Sequence, residues 1–151
     1  MKSLHVGVII SSLGASGTRC GSQDGVGLND LAHLVGQDRD LNDPEAVLVY
    51  DRNESVDVPS SQITDMLSDA IASRMAQVGE YGCGLEQPLE AMYRFLVDPE
   101  PLLEILVNAE NASTEVRGID HVLLKQRAAF LRPTSPLMVI LLSDENNCSM
   151  I

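Results

Sequence analysis

Aromatic residues are scarce in this chain. Tryptophan is absent, and phenylalanine and tyrosine together bring the aromatic content to only 3% of the 151 residues. Hydrophobic residues nevertheless make up 44% of the chain, which is typical of a globular protein and not of a disordered one. We therefore expect one domain of ordinary size with an aliphatic core built from leucine, valine, isoleucine and methionine.

Basic residues are also few. The chain has 10 lysines and arginines against 22 aspartates and glutamates, which gives a formal net charge of −12. Such a charge repels phosphate backbones and anionic membrane surfaces, so the sequence argues against a nucleic-acid partner and against a protein of the membrane surface. An acidic balance suits either a solvated surface or the binding of cations.

Long apolar runs are missing. A membrane-spanning helix needs about 20 predominantly apolar residues, whereas the two clearest runs here are Leu4–Ile10 and Leu137–Leu142. No membrane span is therefore expected. The first run is also too short, and has the wrong flanking residues, for a signal peptide. As it stands, the sequence is typical of a cytoplasmic protein.

The chain has three cysteines: Cys20, Cys83 and Cys148. In a secreted protein this odd number would leave one thiol without a partner in the chain. Neither a C-x-x-C pair nor the spacing of a zinc site occurs. The phosphate-binding loop, the glycine-rich dinucleotide motif and the nucleophile elbow of hydrolases are absent from the sequence as well, so none of these signatures indicates an enzyme.

The two apolar runs predict buried strands. Each is nearly continuous, which is typical of strands covered on both faces of a parallel sheet. Weaker patterns predict a strand at Ala46–Tyr50, a short helical piece at Leu102–Val107 and a surface loop at Asn108–Gly118. Helical spacing and capping residues predict three helices. The first follows a cap at Ser60 or Ser61 and stops at Gly79, and the second has Pro88 in its first turn and an apolar stripe from Leu85 to Leu96. The third runs from a cap at Asp120 to about Leu131.

This order of strand, helices and strand predicts an α/β layered fold. Two clear strands and one weak strand are too few for a covered sheet, since unpaired edges and bare apolar faces would remain. We therefore expect residues 1–151 to form a single, incomplete domain, with strands missing before Leu4, after Ile151, or at both ends.

Polar residues follow each of the two apolar runs. Ser11 and Ser12 come after the first run, and Ser143, Asp144 and Glu145 come after the second. Since ligands bind at the carboxyl ends of the strands in open α/β sheets, we expect the two groups to converge. Their hydroxyl and carboxylate oxygens suit Mg²⁺ or Ca²⁺. The alternative is that Asp144 caps a following helix and that the serines bond to turn backbone.

Cys83 stands between two glycines before a predicted helix. Three roles are open for it. It could form a disulfide with Cys148, which follows the second apolar run. Both thiols could be ordinary and reduced. The helix N-terminus could also activate the Cys83 thiolate as a nucleophile, although no histidine is spaced to indicate a Cys–His pair.

Four segments together carry a resemblance to a known family: Leu4–Gly14, Gly82–Ala91, Gln126–Pro133 and Val139–Ser149. They resemble the uncharacterised von Willebrand factor A-like surface proteins and lipoproteins of myxobacteria, and the match covers most of the chain. The resemblance implies a Rossmann-like sheet with helices on both faces. It also implies a metal-ion-dependent adhesion site at the top of that sheet.

Only part of the family's metal motif has a counterpart here. Asp144, next to Ser143, stands where the family has an aspartate after the fourth strand. No Asp-x-Ser-x-Ser loop occurs, no threonine stands in Gly79–Gly82, and Leu4–Ile10 corresponds to the second family strand. The resemblance thus implies a domain without its first strand and metal loop, in which Mg²⁺ or Ca²⁺ would bind only once the domain is complete.

Members of this family are usually exported. The resemblance therefore implies a periplasmic, secreted or surface protein, and it favours a Cys83–Cys148 disulfide, with Cys20 paired to a residue outside this chain. It further implies a non-catalytic binding or adhesion module with a protein partner. The alternatives are a structural fragment that has no ligand of its own and a thiol-dependent enzyme that uses Cys83.

Overall fold

The structure of the protein is a computed structural model. It describes residues 3–13, 30–43, 46–51, 59–79, 86–108, 110–111, 113–144 and 146–147. Four candidate functional residues lie outside this described part, namely Cys20, Cys83, Glu145 and Cys148. The disulfide and the nucleophilic thiol therefore stay predictions.

Helices and short strands alternate along the described chain. In chain order they are strand β1 (Ser3–Val6), a 3-10 helix (Gln37–Arg39), β2 (Leu48–Asp51), α1 (Ser60–Val78), α2 (Pro88–Leu96), β3 (Leu102–Asn108), β4 (Ser113–Ile119) and α3 (His121–Phe130). This mixture of helices and small antiparallel sheets is compatible with the α/β class, but no Rossmann-like layering is seen among the described residues. No helix in the described part has the length and apolar character needed to cross a membrane.

β1 and β2 form a two-stranded antiparallel sheet. The sequence predicted a strand at both places, and both strands are confirmed. The expectation that β1 reaches Ile10 within a parallel sheet is wrong, because β2 has only four residues and pairs with residues 3–6 alone. Beyond the sheet, the Val8 carbonyl accepts a hydrogen bond of 2.8 Å from the Val35 amide.

β3 and β4 form a second antiparallel hairpin. The expected helical piece at Leu102–Val107 and the expected loop at Asn108–Gly118 are therefore both wrong. A short run of leucine, isoleucine and valine suits a strand as well as a helix, and the pairing partner decides between them. The Asn111 Oδ1 atom accepts a hydrogen bond of 3.1 Å from the Ser113 amide and helps to close the turn.

The three predicted helices are confirmed, but the expected serine cap of α1 is wrong, because Pro59 occupies its N-cap and no side chain caps it. α1 ends before Gly79, whose φ of 75° lies in the left-handed region that favours glycine. Pro88 occupies the first turn of α2. The Asp120 Oδ1 atom accepts a hydrogen bond of 3.0 Å from the Leu123 amide and so caps α3.

The hydrophobic core is small and draws its residues from α2, α3, the segment before the 3-10 helix and Ala46 just before β2. Phe95 belongs to it, and Phe130 packs against it with a distance of 5.7 Å between the two ring centroids. The chain's two phenylalanines thus both join a core that we expected to be aliphatic. The buried cluster consists of Ala32, Leu34, Ala46, Ala91, Phe95 and Leu123.

The run Leu137–Leu142 is not a strand in this structure. We expected it to be buried, yet the exposed fraction is 81% for Met138, 73% for Ile140 and 74% for Leu142. The prediction is wrong because no described strand lies beside this run to pair with its backbone or to cover its side chains. A long apolar surface therefore remains open to solvent.

Candidate functional site

A groove of about 520 Å³ is lined by the two apolar stretches of the sequence. We call it the apolar groove and define it by residues 6–11, residues 137–144 and the helices beside them. Its volume falls within the range of a few hundred to about 1,000 Å³ that is typical of binding sites. The helix residues that line it are Ile71, Met75, Val78, Pro88, Ala91, Met92, Phe95, Leu96 and Phe130.

The backbone along the apolar groove is largely unpaired. Leu137–Leu142 forms no backbone hydrogen bond with any other described residue, and the same holds for Gly7, Ile9 and Ile10. Amide and carbonyl groups need hydrogen-bond partners, and apolar side chains gain from leaving water. The groove therefore has the chemistry of an open sheet edge.

Both stretches end beside the start of α2. The Gln87 amide donates a hydrogen bond of 3.0 Å to the Ser11 carbonyl at the end of the first stretch. The Leu89 amide donates one of 3.3 Å to Asn147 Oδ1, just after the second stretch. The end of the first stretch and Asn147, five residues after Leu142, therefore both contact the start of α2.

The structure brings three of the five predicted loop residues to this groove. Ser11, Ser143 and Asp144 line it. Ser12 does not, because its residue is only 3% exposed and its carbonyl accepts a hydrogen bond of 3.2 Å from the Asp30 amide. Glu145 lies outside the described residues. Each of the three lining residues follows an apolar run, which is the signal that identified them in the sequence.

The charge at this end of the groove is acidic. Among the lining residues, Glu86 and Asp144 are charged, and both are carboxylates. Across the described ranges, no group of three or more histidine, cysteine, aspartate or glutamate side chains is arranged to hold a metal ion. The site as described thus combines a long apolar surface with negative charge at one end.

A buried polar network connects the elements that carry groove-lining residues. The sequence analysis did not identify it. The His33 Nε2 atom lies 2.6 Å from Asp120 Oδ2, and Arg94 Nη2 lies 3.2 Å from the same oxygen. Arg94 also donates through Nη2 to the Leu102 carbonyl (2.6 Å) and through Nε to the Leu31 carbonyl (2.8 Å). Asp120 and Arg94 together thereby join α2, α3, β3 and the segment around residue 31.

The electrostatics of this network keep Asp120 ionised. Burial by itself would raise the pKa of the Asp120 carboxyl, but the hydrogen bonds from His33 and Leu123 and the charges of His33 and Arg94 outweigh it, so the pKa lies below its ordinary value. Burial lowers the pKa of the Arg94 guanidinium, although the nearby carboxylates of Asp120 and Asp98 oppose that shift.

Gln126 forms a separate set of buried hydrogen bonds next to the groove. Its Oε1 atom accepts a hydrogen bond of 2.8 Å from the amide of Leu34, which is a lining residue. Its Nε2 atom donates to the carbonyls of Leu41 (3.1 Å) and Asp43 (2.9 Å). These hydrogen bonds satisfy the buried amide of Gln126 and hold Leu34, Leu41 and Asp43 against α3.

The comparisons with known proteins identify no relative of this chain. No protein-family model matches it, and neither a curated protein nor a solved structure does so. The resemblance to von Willebrand factor A-like proteins therefore stands on the sequence segments alone. The geometry of the groove is the stronger guide to function.

Proposed function

We propose that this chain is a non-catalytic, adhesion-type binding module that holds a protein partner in the apolar groove. The observation that carries the proposal is the exposure of six consecutive apolar residues, Leu137–Leu142. Soluble proteins rarely leave contiguous apolar patches of this kind uncovered unless they bind something there. Burial of one such side chain contributes about 1.5–3 kcal/mol, so a few of them supply useful affinity even after the entropy cost of association.

A finer proposal concerns the fold. We propose that the von Willebrand A-like layered arrangement, with parallel strands at the two apolar stretches, is reached when the groove is filled. Two observations support this. Ser11 and Asn147 both accept hydrogen bonds from the start of α2, and both stretches contain backbone groups without a hydrogen-bond partner among the described residues. The resemblance to the same family is also the basis for proposing an extracytoplasmic location.

The test is a selection of binders from a random peptide library displayed on phage, with the full chain as the target. We expect enriched peptides whose binding is lost in the triple variant Met138→Ser/Ile140→Ser/Leu142→Ser. The matched control is Met66→Ser/Val97→Ser/Val116→Ser, which removes three comparably exposed apolar side chains outside the groove. Peptides that bind both variants equally, or no enrichment at all, would contradict the proposal.

A further inference from the structure

We propose that the partner enters the apolar groove as an extended apolar strand with a basic residue at the end that meets Glu86 and Asp144. This inference rests on the proposed binding function and specifies its ligand. The chemistry that recognises the strand has three parts. They are backbone groups along the groove that have no hydrogen-bond partner among the described residues, apolar side chains along its length, and negative charge at one end.

The unpaired backbone favours a strand over a helix as the occupant. A helix satisfies its own amide and carbonyl groups internally, so it has none to offer along its side. An extended peptide carries such groups on both edges, and it can therefore pair with Leu137–Leu142 on one edge and with Gly7 and Ile9 on the other. Only a strand removes both the bare side chains and the unpaired backbone.

The length of the exposed run Leu137–Leu142 determines how long the bound strand should be. At about 3.3 Å per residue, the six residues Leu137–Leu142 span roughly 20 Å when extended. A paired strand of about six residues matches that span. Because side chains alternate between the two faces of a strand, every second residue of the occupant faces the groove floor, where Leu34 and Phe95 lie. Those residues should be apolar.

Charge decides what residue should end the apolar strand. Glu86 and Asp144 are the charged residues of the described lining, and the whole chain has a net charge of −12. An acidic residue at that end of the occupant would be repelled, whereas a lysine or arginine would be attracted. The occupant is thus an apolar strand ending in a cation, and a purely apolar or acidic strand binds more weakly.

Designed peptides with capped ends test this inference directly. The parent peptide is Lys-Val-Thr-Val-Thr-Val-Thr-Lys, measured against the full chain by isothermal titration calorimetry. Methylation of two consecutive central backbone nitrogens removes a donor from each edge, and we expect it to weaken binding about tenfold or more. The matched control adds the same two methyl groups to side chains by replacing two valines with isoleucines, and we expect it to bind as well as the parent or better.

The charge requirement is tested by exchanging the ends of the peptide. Glutamate in place of both lysines should weaken binding about fivefold at low salt. In the variant Glu86→Lys/Asp144→Lys this preference should reverse, because the charge at the end of the groove changes sign. The control variant Glu100→Lys/Glu110→Lys makes the same change in net charge at exposed positions outside the groove, and it should keep the preference for lysine.

The results that would contradict this inference differ from those that would contradict the proposed binding function. Equal binding of the methylated and parent peptides would overturn strand pairing. If library peptides still depended on Met138, Ile140 and Leu142, the binding function would stand without it. A preference for lysine that survived the Glu86→Lys/Asp144→Lys change would overturn the charge assignment. Groove-dependent self-association of the chain in sedimentation would make a second copy the occupant and overturn the peptide partner.

Discussion

The imidazole of His33 and the carboxylate of Asp120 lie 2.6 Å apart, although 87 residues separate them in the sequence. Asp120 is only 1% exposed, and Arg94 reaches the same oxygen from α2. Its other carboxylate oxygen caps α3 through the Leu123 amide. This one side chain therefore holds together elements that carry Leu34, Phe95 and Phe130, all of which line the apolar groove.

Removal of the Asp120 charge should lower the free energy of unfolding. Asp120→Asn keeps the shape of the side chain and a competent helix cap, but it leaves Arg94 beside a neutral group in a buried setting. We expect the free energy of unfolding to fall by about 3 kcal/mol, since breaking one side of a buried charge pair has a cost of that size. Urea unfolding followed by circular dichroism measures it. Asp144→Asn, at an exposed position, should change stability by less than about 0.5 kcal/mol.

The lowered pKa of Asp120 predicts how the stability of the protein depends on pH. The folded-state pKa of Asp120 lies below its ordinary value of 3.8. The stabilisation is therefore fully present above pH 3.8 and is lost as the pH falls through the lower folded-state value. The difference in unfolding free energy between the wild-type chain and Asp120→Asn should shrink as the pH falls below 3.8. A difference that grew on acidification would show that the sign is wrong.

The core around Leu123 should be sensitive to truncation. Its side chain is fully buried among residues of α2 and the segment that contains Leu34. Leu123→Ala is expected to lower the unfolding free energy by about 2–5 kcal/mol, because it removes apolar contacts and leaves a cavity. Val97→Ala, at a side chain that is 62% exposed, is the matched comparison and should cost less than about 0.5 kcal/mol.

Truncation of the exposed residues Leu137–Leu142 should weaken binding without lowering stability, unlike truncation of Leu123. Ile140 is 73% exposed, so Ile140→Ser should change the unfolding free energy of the free chain by less than about 0.5 kcal/mol while weakening peptide binding. Chemical denaturation and calorimetry on the same samples measure the two effects. A loss of more than about 2 kcal/mol in stability would mean that Ile140 is buried in solution, and the apolar groove would then not be available to a partner.

The cysteines offer a test of the proposed family resemblance. We propose that Cys83 and Cys148 form a disulfide in the oxidised protein. Asn147 accepts a hydrogen bond from the Leu89 amide, so the chain just before Cys148 lies beside the start of α2. Peptide mapping by mass spectrometry under non-reducing conditions should find the two cysteines linked. The variant Cys83→Ser should lose that crosslink, and a Cys20 crosslink in its place would contradict the pairing.

The helices could be predicted from the sequence because their signals are local. The apolar spacing within α1, the Gly79 stop, the first-turn Pro88 and the Asp120 cap all act over three or four residues. Ser11, Ser143 and Asp144 all line the apolar groove, and their position after an apolar stretch singled them out in the sequence. Physical rules that act over short distances were sufficient in these cases.

The pairing of the strands was decided only by the tertiary structure. An apolar run specifies that a segment seeks burial, but it does not specify which segment covers it. β1 thus pairs antiparallel with β2, β3 and β4 form an unexpected hairpin, and Leu137–Leu142 has no described partner. The contacts of Asp120 with His33 and Arg94 could not be predicted from the sequence either. The Asp120 cap of α3 involves residues three positions apart, whereas its hydrogen bond to His33 joins residues 87 positions apart and exists only once the chain has folded.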